Sequence, residues 1–256
     1  LDLKEEILFA ISRYDYAYAY KLAQHLINGS SLLTKLLHIL AERRELNILP
    51  ATDEELKTAL QTQSGFQLFC HTDLADEQLA NYLYDLEAKL RNEQIIDFIR
   101  AVSPAIYRIF MRLIKLEIPD IEYFIHNSRE ASYDRWKFER MRESEYVVLQ
   151  DFHAESTVNS SSLTELILCL DLPESVKEEV RQLRELEKSV RNPLAHLIKP
   201  FDETELYRTT GFSSQHFMEI LVDLARFTGI VYDREHFYFD EANRLVRALL
   251  TGEENG

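Results

Sequence analysis

Apolar residues recur three and four positions apart through most of the 256-residue chain, and only six glycines and six prolines interrupt them. That pattern predicts a mainly helical, all-α protein. Residues 1–92 read as four or five short helices. Within them Tyr14, Tyr16, Tyr18 and Tyr20 alternate as a strand would, but Asp15 as a cap and the following Lys21-Leu22-Ala23-Gln24-His25-Leu26 favour a helix. A long apolar helix or helix pair then covers Gln94 to Leu116. Ser103-Pro104 reads as a fresh start inside it, a cap followed by proline at the first helical position. Thr52 with Glu55, Ser162 with Glu165 and Ser175 with Glu178 have capping-box spacing. Asn28-Gly29, Leu49-Pro50, Ile118-Pro119 and Thr228-Gly229 read as stops. Near the C-terminus, Gly229–Tyr232 and Phe237–Phe239 flank the polar Asp233-Arg234-Glu235-His236, which predicts a small β-hairpin, and a last helix follows from Glu241 to Leu250. A boundary just before the long helix divides the chain into 1–92 and 93–256.

At 46% hydrophobic, the chain can bury a substantial core as two domains. A net charge of −15 argues against tight, non-specific binding to a phosphate backbone, which needs summed positive potential. Cys70 and Cys169 are far apart and fit no paired zinc spacing, which points to a reduced, cytoplasmic setting without a structural metal. The chain opens Leu1-Asp2-Leu3-Lys4-Glu5-Glu6, with neither an initiator methionine nor a basic and apolar leader, and reads as a piece of a longer protein. Lys35 and His38 interrupt the apolar run from Leu32 to Leu40, so no stretch is long enough to span a membrane.

The chemistry concentrates in Arg191-Asn192-Pro193-Leu194-Ala195-His196. Asn192 suits a helix cap and Pro193 the first helical position, which would place His196 in a first turn, where the positive end of the dipole disfavours imidazolium. A neutral histidine can act as a general base, and Arg191 offers a fixed charge with a planar fork of donors for a phosphate. The same residues also fit a simple helix break, with Arg191 in a surface ion pair and His196 a satisfied core histidine.

An arginine, an asparagine and, a few residues on, a histidine, set late in an all-helical domain, resemble the signature of the HEPN superfamily of ribonucleases. The run from Leu186 through Glu203 to Gly229 is most similar to the accessory CARF-HEPN ribonuclease of type III (type III-A) CRISPR systems. The resemblance implies a helical linker domain over 1–92, a HEPN helical bundle over 93–256, and Arg191, Asn192 and His196 as catalytic residues. It further implies metal-independent attack of a single-stranded RNA 2′-hydroxyl on its own phosphate, leaving cyclic phosphate and 5′-hydroxyl ends, in antiviral defence. No cofactor is expected. Members carry an N-terminal Rossmann-type sensor, CARF, that binds a cyclic oligoadenylate activator; no such domain is legible here, so that partner belongs to the full-length protein. One chain offers one motif histidine, whereas proton removal and leaving-group assistance need two groups, so family precedent and a two-fold axis both point to a homodimer with a composite site.

A second candidate is Arg129 to Arg142, where Arg135, Lys137, Arg140 and Arg142 interleave with Tyr133, Trp136 and Phe138; Glu130, Asp134, Glu139 and Glu143 nearly cancel the charge, which favours an amphipathic helix over an RNA surface. His25, His38, His71, His126 and His153 read as structural. His216 and His236 share the expected domain of the motif and could approach it. Three rivals stand beside the ribonuclease reading: a helix-turn-helix with a wing over residues 205–239, a HEPN scaffold without catalysis, and a free-standing HEPN toxin. DNA is disfavoured by the apolar and acidic candidate recognition helix from Ser214 to Asp223.

Overall fold

The computed structural model describes residues 2–26, 31–126 and 134–252. These cluster into two compact units, one formed by 1–93 with 230–256 and the other by 94–229. Residues 230–252 therefore rejoin the N-terminal part instead of continuing the second unit.

The first unit begins with α1 (Leu3–Ser12), α2 (Tyr16–Ala23), α3 (Ser31–Arg44), α4 (Glu54–Ser64) and α5 (Leu74–Arg91). The alternating tyrosines are helical: the Asp15 carboxylate accepts from Tyr18 N–H at 3.1 Å, and the 16–20 stretch buries Tyr16 while exposing Tyr18. Asp53 caps α4, accepting from Leu56 N–H, whereas the expected cap Thr52 lies in a short 3-10 turn and donates its hydroxyl to Leu49 C=O. The expected stop at Asn28-Gly29 lies outside the described residues.

In the second unit α6 (Ile95–Glu117) runs unbroken through Pro104. Ser103 is no cap, because its hydroxyl is engaged elsewhere, and the helix continues past the proline with Val102, Ala105 and Ile106 all buried. After α6 come β1 (Ile125–His126) and β2 (Arg135–Trp136), antiparallel with Ile125 opposite Trp136. They are the paired strands among the described residues. Then follow α7 (Phe138–Arg142), α8 (Val147–Gln150), α9 (Ser160–Cys169) and α10 (Glu174–Leu186). The capping box at α9 is Asn159 with Ser162, three residues before the expected pair, and α10 starts after Pro173 without a side-chain cap at Ser175. Of the Arg129–Arg142 stretch, 129–133 lie outside the described residues; the rest is strand then short helix, with Trp136 buried against Phe152 at a ring distance of 5.6 Å.

A π turn (Glu187–Arg191) joins α10 to α11 (Asn192–His196), and α12 (Glu203–Thr210) and α13 (Ser214–Phe227) complete the unit. α6 is its axis, packing against α9, α13, the π turn and α11. The expected hairpin over 229–239 is not formed: residues 230–237 are irregular, and α14 (Tyr238–Thr251) begins inside the second predicted strand. Asp233 does make the expected turn, accepting from Glu235 and His236 N–H, but Val231 N–H donates to His71 Nε2 and Tyr232 OH to Glu87. Partners in the first unit thus take the donors that a ladder would have used. The winged helix-turn-helix loses its wing, and α13 spends Phe217, Met218, Ile220, Leu221 and Leu224 on the core.

Candidate functional site

Proline shapes the motif. Pro193 has no N–H to give to the carbonyl of Ser189, and its ring would crowd that carbonyl in a regular helix. The chain opens one turn to the wider π form, with Asn192 N–H donating to Glu187 C=O five residues back. Arg191 and Asn192 keep right-handed helical dihedrals, so α10, the π turn and α11 form one continuous rod. Asn192 is therefore not a cap. His196 sits in the last turn before Leu197 becomes extended. The helix end beside it is the carbonyl end, and not the first turn that Asn192 and Pro193 lead one to expect from the sequence.

The turn is pinned from α6. Leu194 is buried, and Arg100 Nη2 donates to its carbonyl at 3.2 Å. One turn further along α6, the Ser103 hydroxyl donates to Glu187 Oε2 at 2.7 Å. Between these elements and the start of α9 lies a cleft of about 420 Å³, lined among others by Ser103, Tyr107, Arg184, Glu187, Arg191 and Asn192. Ser160 and Ser161 in the first turn of α9 face the same space, with the positive end of that helix.

Arg191 Nη1 reaches its neighbour Asn192 Oδ1 at 3.3 Å, while Arg191 Nε is buried and without a partner. The side-chain amide thus steadies the guanidinium and leaves other donors of the fork uncommitted. Such donors stabilise the extra negative charge that a phosphate gathers as attack proceeds. The structure brings Arg191 and Asn192 together in the cleft and leaves His196 exposed, outside the cleft lining and without a hydrogen bond among the described residues. Next to it Leu197 and Ile198 are exposed, Ile198 completely. Neither of the other two histidines considered joins this cleft. His216 Nε2 is 2.7 Å from Gln182 Oε1 and its ring stacks on Phe212, and His236 belongs to the first unit, where it pairs with Asp233.

The Cas_Csm6 HEPN domain model matches residues 68–247, 180 of the 256 residues of the chain. The chain belongs to the Cas_Csm6 HEPN domain family. The match begins within the first unit and extends through the second into α14, so the family region is not confined to the unit that carries the motif. The fold of this Cas_Csm6 HEPN chain is similar to that of Enterococcus italicus Csm6, solved bound to cyclic hexa-2'-fluoro-hexa-dAMP. The TM-score is 0.68 at 14% identity, covering 96% of this chain and 56% of that one. It therefore spans little more than half the length of that protein. No curated protein matches it.

In this HEPN chain the sequence points to Arg191, Asn192 and His196 as candidates, and Ser103, Arg184 and Glu187, which share the cleft with Arg191 and Asn192, are not among them. A polar residue amid the apolar stretch from Val102 to Ile106 and an acid four residues before the motif arginine were the available signals. Pro104 masked the first by suggesting a helix start.

Proposed function

We propose that this chain carries the nuclease part of a metal-independent endoribonuclease that cuts single-stranded RNA in type III CRISPR antiviral defence. Arg191, steadied by Asn192, stabilises the phosphate, and His196 serves the proton transfers as the 2′-hydroxyl attacks, giving cyclic phosphate and 5′-hydroxyl ends. The observation that carries the reading is a motif arginine with uncommitted donors in a cleft, followed along the same rod by an exposed histidine whose ring is not engaged. Two copies joined near the bare Leu197 and Ile198 would supply paired arginines and histidines to a composite site. The activator is a cyclic oligoadenylate acting through a sensor outside this chain, in keeping with the ligand named for the Enterococcus italicus relative and the 56% of that protein covered here.

The test is cleavage of a fluorescent single-stranded RNA by the purified chain in excess EDTA, beside His196→Ala and an all-DNA strand of the same sequence. Parent activity with DNA spared, cyclic phosphate ends, and a loss of at least about 100-fold in the variant are expected, a range usual for general acid–base groups. Equal cutting by His196→Ala, cutting of DNA or a requirement for added divalent metal would overturn the reading.

A further inference from the structure

We propose that Arg184 is a second phosphate-binding residue of the cleft, held there by Glu187, and that it contacts a backbone phosphate other than the one served by Arg191. This rests on the ribonuclease reading and specifies how the substrate strand is held.

Several arginines of the second unit spend their donors on protein. Arg100 caps Leu194 C=O, Arg112 grips the Thr228 hydroxyl and carbonyl, and Arg181 pairs with Glu174. Arg184 does not. It lines the cleft with its side chain 25% exposed and donates no hydrogen bond among the described residues. Its Nη1 lies 4.0 Å from Glu187 Oε1, close enough for attraction and too far for a hydrogen bond. Glu187 is itself fixed: its side chain is 5% exposed, Oε2 accepts the Ser103 hydroxyl, and Oε1 has no hydrogen-bond partner. The carboxylate thus places the guanidinium without consuming a donor, which makes Glu187 a positioning residue. The other carboxylate on the cleft, Glu155, accepts from Asn159 Nδ2 and is exposed. Arg184 and Arg191 therefore both keep uncommitted donors, seven residues apart on one rod. An anionic strand with phosphates at successive positions fits that arrangement, since seven residues of helix rise by about 10 Å.

The experiment is fluorescence anisotropy of a labelled, 2′-O-methylated single-stranded RNA, which cannot be cut, bound to the full chain across a salt series. For a single strand, each phosphate contact contributes about 0.7 to the slope of log affinity against log salt. Arg184→Gln is expected to lower the slope by about 0.7, while Arg184→Lys keeps it. Arg208→Gln, an exposed arginine paired with Glu205 and not lining the cleft, is the control and leaves the slope unchanged. Glu187→Gln is expected to weaken binding when Arg184 is present and to add nothing to Arg184→Gln, since the two act through one contact. An unchanged slope in Arg184→Gln, additive effects of the two substitutions, or no binding by the parent overturns the proposal. Failure of the ribonuclease reading is separate: it shows in the cleavage assay with His196→Ala, and a changed slope without cleavage would keep Arg184 as an RNA contact while removing the catalysis.

Discussion

Two buried glutamates, one in each unit, are treated in opposite ways. Glu77 on α5 is inaccessible, and both its oxygens are spent: Oε1 on Arg43 at 2.7 Å, Oε2 on His71 Nδ1 and on the N–H groups of Cys70 and His71. Arg43 in turn lies over the Tyr238 ring at 4.5 Å. Glu187 is almost as buried, yet has one hydrogen bond from Ser103 and a distant arginine. Burying a charge is costly unless pairing and hydrogen bonds offset it, so saturation is what a purely structural carboxylate requires. The contrast is between the two carboxylates: Glu77 has no acceptor left over and Glu187 does, whereas in the first unit's core the open capacity sits on the cation, with Arg43 Nε and Nη1 buried and without hydrogen-bond partners.

The largest effect should come from breaking the saturated member. Glu77→Ala strips Arg43 of its counter-charge and leaves two backbone N–H groups unpaired; a loss of about 3–5 kcal/mol is expected on the scale of broken buried pairs. Urea denaturation measures it. A loss under about 1 kcal/mol would mean that the saturation of Glu77 is not what holds that core.

Glu187→Gln should behave otherwise. Its amide oxygen can still accept from Ser103, and its ionic partner among the described residues is 4.0 Å away, so stability should change by no more than about 1 kcal/mol while RNA binding weakens. A stability loss comparable to that of Glu77→Ala, with unchanged binding, would erase the distinction and make both carboxylates structural.

Arg191, Asn192 and His196 stand out as candidates in the sequence because their residue types and order are local. Helical class was legible too: Asp15 as a cap decided Tyr16–Ala23 correctly against the alternating tyrosines. What depended on tertiary partners was not. The segment 229–239 carries the apolar spacing of a hairpin, but His71 and Glu87 take the donors of Val231 and Tyr232, and Tyr238 OH reaches Leu68 C=O. Local spacing cannot show a partner some 160 residues away. Pro193 was legible as a constraint and misplaced in its effect: it widened a continuing helix instead of starting one, which moved His196 from a first turn to a last. Glu187 and Ser103 meet only because α6 continues through Pro104.

The smallest effect concerns a third carboxylate, which tests whether underspent charge in the second unit is special to the cleft. Glu179 on α10 is half-buried and has no hydrogen bond among the described residues; burial first, and the charge of Asp223 second, push its pKa from 4.5 up to about 7. A carboxylate raised in the folded state favours folding below the unfolded value, near 4.5, and that contribution is lost as pH rises through about 7. Glu179→Gln, neutral throughout, should therefore melt higher than the parent at pH 8, by no more than about 1 kcal/mol given the exposure of the group, with the gain vanishing toward pH 4.5. Asp223→Asn should recover only the smaller share, because it removes the charge and leaves the burial. Since neither residue lines the cleft, RNA cleavage at a fixed pH should be unmoved by either substitution. A gain in melting temperature that is independent of pH would mean that folding does not raise the Glu179 carboxyl, and that its burial on α10 is not what costs this unit stability.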